Sequence, residues 1–161
     1  MNVILNFILY EVSFFACIFG AKEGYPWAGL FITLIFFLSQ CVLIKKNWQH
    51  IFIVLLISIF GLSLESAVVY FGFIQFKSVC AWPFLLPPWY FGLWIGFAMS
   101  VQYSLNIILR HYPVMVIAAL IMPLVYWLSQ RLGVIVLQPP LPLCLTLVGL
   151  YWLGIFCFCR V

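Results

Sequence analysis

Eight of the ten charged side chains in this sequence are confined to a few short punctuation points, and that placement limits the fold more than any motif does. Lys22 and Glu23, Lys45 and Lys46, Lys77, Arg110, Arg131 and Arg160 set off six apolar stretches, residues 2–21, 26–44, 50–73, 88–109, 113–130 and 141–159. A helix rises ~1.5 Å per residue and needs roughly 20 apolar residues to cross the hydrocarbon layer. All six stretches approach that length. Backbone inside hydrocarbon has no water to bond, so only helices and closed barrels cross it. Barrel strands alternate polar and apolar residues, whereas these runs are solidly apolar. The expectation is an all-α, polytopic transmembrane helical bundle with six membrane-spanning helices, in a single domain over residues 1–161. Composition agrees, because only 6% of the 161 residues are charged, against about a quarter in soluble domains. The net charge of +4 is spread over short loops. It reads as a topology signal rather than a nucleic-acid surface.

Basic residues orient such a bundle. With the N-terminus inside, Lys45, Lys46, Arg110 and Arg160 face the cytoplasm, and Lys22, Lys77 and Arg131 face the other side. The Lys45–Lys46 pair decides, placing both termini in the cytoplasm. The first apolar run lacks a basic leader segment and contains Glu11, so it is read as a retained helix. Prolines gather in two connections, "QFKSVCAWPFLLPPW" and "VIVLQPPLP". Non-helical apolar backbone cannot face lipid. These segments are expected either at the outer interface, anchored by Trp82 and Trp89, or folded over the bundle as a cap. The six cysteines form no CxxC or Cys/His cluster and are read as apolar fillers, with a Cys80–Cys144 pair left open. His50 and His111 fall in predicted turns without local carboxylates, so no metal is expected. No cofactor or catalytic motif is recognised, which leans against an enzyme.

Two carboxylates lie inside the runs, and an intramembrane carboxylate is a functional-site hypothesis by default. On a helical wheel Asn2, Asn6, Tyr10, Ser13, Cys17 and Gly20 share one face of the first helix, with Glu11 nearly opposite. Glu65 has Ser58, Gly61 and Gly72 on its own face. At ~1.5 Å per residue, Glu11 lies ~14 Å and Glu65 ~22 Å from the inner ends of their helices, both near middle depth. Burial disfavours charge, and no basic residue falls within the spans. Glu65 is therefore expected to face the bundle interior and to donate a hydrogen bond as a neutral acid. The expected acceptors are Gln102, Asn106 or a backbone carbonyl near Pro123. Gly92, Gly96, Ser100 and Ser104 recur every four residues along helix four, a small-residue ridge suited to close helix packing.

The stretches "NFILYEVSFFACIFGA", "PWAGLF", "GLSLESAVVYFGFIQF", "PPWYFGLWIGFAMSVQYSLNIIL" and "MPLVYWLSQRLG" resemble one family of small bacterial inner-membrane proteins, domain of unknown function 2878. The resemblance implies a polytopic inner-membrane protein. In the family pattern Gln stands at the position of Glu11 and Asp at that of Glu65, which makes the Glu65 acid a family feature and Glu11 a departure. Genes of the family often lie near lipid-modifying genes, a hint towards lipid or fatty-acid chemistry. Three function classes stay open. The first is a small transporter or lipid-handling protein using Glu65, Glu11, Gln102 and Asn106. The second is an accessory subunit whose ridge binds a membrane-protein partner or a second copy of the chain. The third, ranked lower, is a lipid-modifying membrane enzyme.

Overall fold

The computed structural model describes residues 3–43, 48–77 and 86–160. Among these, seven helices are found: α1 (Val3–Lys22), α2 (Ala28–Leu43), α3 (Trp48–Tyr70), α4 (Pro88–Val101), α5 (Asn106–Arg110), α6 (Tyr112–Arg131) and α7 (Leu141–Cys159). Two short strands join them, β1 (Ile74–Phe76) and β2 (Ile135–Leu137). The all-α class holds. Among the described residues four helices, α1, α3, α6 and α7, are long and apolar enough to cross a membrane, and α2 is a shorter apolar helix. Their outward faces are oily, with Ile35, Val42 and Leu120 each more than two-thirds exposed.

The fourth apolar stretch is not one helix. It divides at residues 102–105, where Tyr103 and Leu105 both donate backbone N–H groups to the Ser100 carbonyl (3.0 and 2.9 Å). Side chains from other helices hold the break. Asn6 of α1 accepts from both the backbone N–H and the hydroxyl of Ser104 (3.3 and 2.6 Å). On α3, His50 engages Gln102. Polar partners thus take over backbone and side-chain groups that a continuous helix would have satisfied itself.

α3 and α6 end alike. Gly72 and Gly133 adopt φ of 77° and 79°, and the following residues donate back to Val68 and Ser129 (both 3.1 Å). This left-handed cap favours glycine because a Cβ is disfavoured there. Each cap launches a strand, and β1 pairs antiparallel with β2 through Ile74↔Leu137, Gln75↔Val136 and Phe76↔Ile135. Ile74, Ile135 and Leu137 are buried, and Phe76 packs edge-on against Trp89 and Tyr90 (5.5 and 4.9 Å between centroids). The described parts of the two proline-rich connections therefore form a ribbon that caps one end of the bundle. Cys80, Trp82 and Pro83 lie outside the described residues. Cys144 donates its thiol to the Gln138 carbonyl (2.9 Å).

α4 is the central helix, buried along most of its length and packed by α1, α2 and α3. The small-residue ridge explains why these backbones come so close. A methyl group at Gly92 would meet Cys17 Sγ at 2.9 Å and Leu30 Cα at 3.1 Å, whereas one at Gly96 would meet nothing closer than 3.7 Å. The ridge is covered by the chain's own α1 and α2. α6 and α7 pack on each other as a separate pair. They reach α3 and α4 through side chains: Phe60 stacks on Phe158 (4.3 Å), Trp94 on Trp152 (5.4 Å, interplanar 6°), and Phe97 meets Trp152 edge-on (5.2 Å). A layer of rings thus separates two sub-bundles.

Candidate functional site

α3 turns one stripe inward: His50, Val54, Ile57, Ser58, Gly61 and Glu65. The spacing is that of a single helical face, and it carries Glu65 to full burial, with no exposed surface. Three tyrosines converge around it. Tyr90 comes from the first turn of α4, Tyr126 from α6 just beyond Pro123, and Tyr151 from the middle of α7. Tyr126 and Tyr151 both donate to Glu65 Oε1 and touch each other through their hydroxyls. The Tyr90 hydroxyl lies 2.7 Å from that of Tyr126. Glu65 Oε2 has no hydrogen-bond partner among the described residues.

Proton counting is informative here. Three phenols bring three protons to four oxygen–oxygen contacts. A fourth proton, from a protonated Glu65, completes the set once Tyr151 accepts from the carboxyl and turns its own proton to Tyr126. The cluster can therefore hold and exchange a proton, or lend donors to a polar group brought beside it. It joins both sub-bundles: Glu65 and Tyr90 stand on one, Tyr126 and Tyr151 on the other.

The expected amide partners are elsewhere. Gln102 accepts from His50 Nδ1 (2.6 Å) and donates to the His50 carbonyl (3.3 Å). Asn106 accepts from Arg110 Nε on its own short helix (2.9 Å). His50, expected in a turn, lies on α3 and is buried, with its other ring nitrogen 3.3 Å from Gln40 Oε1. Glu11 is half-buried on α1 and takes no part in the tyrosine cluster. Sequence reasoning passed over the tyrosines because it sought partners for Glu65 in Gln102, Asn106 and a backbone carbonyl near Pro123. The available signal was depth: Tyr126 and Tyr151 sit well inside apolar runs, where a hydroxyl has to find a partner.

Beside the cluster lies a cavity of about 60 Å³. Its walls include Tyr10, Phe14 and Ile18 of α1, Met122 and Ser129 of α6, and Trp152 of α7; α4 forms its floor and Ile135 of the ribbon its end. A site needs ~10–15 Å³ by this measure to hold one water, so it has room for several, or for the end of an apolar chain. Its lining includes Tyr90 and Tyr126, whose hydroxyls run on to Glu65, and Trp152, whose indole N–H has no partner among the described residues. Among the described residues no three His, Cys, Asp or Glu side chains come together as metal ligands.

A family model described as protein of unknown function (DUF2878) matches residues 3–158, nearly the whole chain. No curated protein and no solved structure matches it.

Proposed function

This chain belongs to the DUF2878 family, and we propose that it is a six-span bacterial inner-membrane protein that binds a membrane lipid in the cleft between α1 and α6. The six spans are α1, α2, α3, the broken α4–α5 pair, α6 and α7, and both termini lie on the cytoplasmic side. The observation that carries the reading is the cleft itself. It is walled by aromatic rings, and its polar corner, Tyr90 and Tyr126, is wired to the buried Glu65. Apolar walls with a few convergent polar groups are the usual form of a small-molecule site. Here the walls suit an acyl chain, and the phenols suit a hydroxyl or carbonyl near its head. Between the β1–β2 ribbon at one end and α5 at the other, α6 and α7 meet α3 and α4 through rings, so the pair can flex there without separating closely packed backbones. That supports lateral entry of a chain larger than the resting cavity.

The test is mass spectrometry of lipids retained by the chain purified from native membranes, wild type beside Leu93→Trp. Leu93 lines the cleft, and an indole there fills it. The expected result is a defined lipid on the wild type that is lost from a variant of equal melting temperature. The same lipid on both, or none on either, overturns the proposal.

A further inference from the structure

A second pocket opens at the ribbon end, with a volume of about 340 Å³, within the range of small-ligand sites. Lys22 of α1 and Lys77, just past β1, line it together with Gly24, Pro26, Gly133 and Val134. The Lys77 ammonium lies over the Gly133 backbone, 3.9 Å from where a Cβ would stand. No carboxylate is part of this wall among the described residues. Glu23, the neighbouring acid, is exposed, and Arg131, the other basic residue at this end, stacks on Trp127 (4.9 Å).

This pocket lies next to the aromatic cleft along α1 and the ribbon. Ile18 lines the cleft, and Ala21 and Lys22 line the pocket. Residues three and four apart share one helix face, so the two sites sit one turn apart along α1. On the other wall Ile135 belongs to the cleft, and its neighbours Gly133 and Val134 belong to the pocket. One molecule can therefore reach both sites, a charged end at the lysines and an apolar chain passing Ile18 into the cleft.

We propose that Lys22 and Lys77 bind the phosphate of an anionic phospholipid whose acyl chain occupies the cleft. Two ammonium groups present point charges to a phosphate, and their place at the end of the helices is where a headgroup lies when its chain runs alongside them. The inference rests on the lipid-binding reading above and adds the headgroup class.

The experiment uses the full chain in neutral-lipid nanodiscs and two photoactivatable probes with the same acyl chain, one a phosphatidic acid and one a diacylglycerol. The wild type should crosslink both probes to cleft residues. Lys22→Gln/Lys77→Gln should lose the phosphatidic acid by about thirtyfold, since each lysine near a membrane surface contributes about fivefold to anionic-lipid binding. Diacylglycerol labelling should not change, which also shows that the double variant is folded. Equal phosphatidic acid labelling of wild type and double variant overturns the headgroup inference and leaves lipid binding standing. Cleft labelling by neither probe overturns the lipid-binding reading itself. Millimolar inorganic phosphate that displaces the phosphatidic acid would identify a free-anion site and overturn the lipid assignment.

Discussion

The tyrosine cluster makes an ordered prediction, because its three phenols carry different numbers of hydrogen bonds. Tyr126 touches Tyr90, Tyr151 and Glu65; Tyr151 touches Tyr126 and Glu65; Tyr90 sits at the edge of the set, bonded to Tyr126. Interhelical hydrogen bonds in membrane proteins average ~0.6 kcal/mol and reach ~1.7. Replacing Tyr by Phe keeps the ring and removes only the hydroxyl, so packing is a minor contributor. Tyr126→Phe should then cost about 1.5–2 kcal/mol, Tyr151→Phe about 1 and Tyr90→Phe about 0.6. Tyr126→Phe also strands the Tyr90 hydroxyl in a buried site, which adds to its lead. Tyr25→Phe serves as the control, since Tyr25 is 71% exposed. Equilibrium unfolding in mixed micelles resolves differences of this size. A Tyr90→Phe cost equal to or above that of Tyr126→Phe would refute the hub, and with it the link between Glu65 and the cleft.

Glu65→Gln should stay within ~0.5 kcal/mol of wild type, since its amide oxygen still accepts from the phenols, while Glu65→Leu removes that acceptor and should cost ~1–2 kcal/mol in the same assay. Gly92→Ala should destabilise by ~1–3 kcal/mol through overpacking against Cys17 and Leu30, whereas Gly96→Ala, with ordinary clearance, should be neutral or stabilising; equal melting temperatures would remove the ridge from the packing argument. Asn6→Ala should release the break in helix four, seen as faster amide exchange over residues 102–106, and unchanged exchange would show that the break does not depend on Asn6. Reporter fusions after Arg160 should read cytoplasm and a fusion near Lys77 the opposite side; a cytoplasmic signal at Lys77 would reverse the orientation.

The helices were legible because each rests on a long apolar run, and α1, α3, α6 and α7 begin and end within a few residues of the expected limits. The ribbon was not. Strands of three residues carry too little alternation to be recognised, and the prolines that follow them drew attention to irregular backbone. The pairing depends on two glycine caps that aim the chain across the bundle end, and each cap is a local event with no visible link to the other. The break in helix four was hidden for a related reason. Its residues are apolar enough to continue, and only contacts from Asn6 and His50, nearly a hundred and about fifty positions away, show why they do not.

Glu65 was legible from cost alone: a carboxyl in an apolar run either finds partners or is not tolerated. Which partners it finds depends on how the sub-bundles meet. Glu65 lies five residues from the end of α3, and Tyr126 lies five from the end of α6. Both are therefore ~7.5 Å below the ribbon, and at that level the partner is whatever α6 and α7 present. Gln102 and Asn106 sit at the far end of the broken helix, where His50 and Arg110 claim them. The rings of Trp94, Trp152 and Phe97 lie between the two sub-bundles, so a polar link across that layer needs a long side chain. Tyrosine has that reach. The same separation that calls for phenols leaves the cleft open beside them, so the latch and the cleft follow from one packing arrangement. Loosening the latch should therefore alter how the cleft is occupied, even where the substituted residue does not line it.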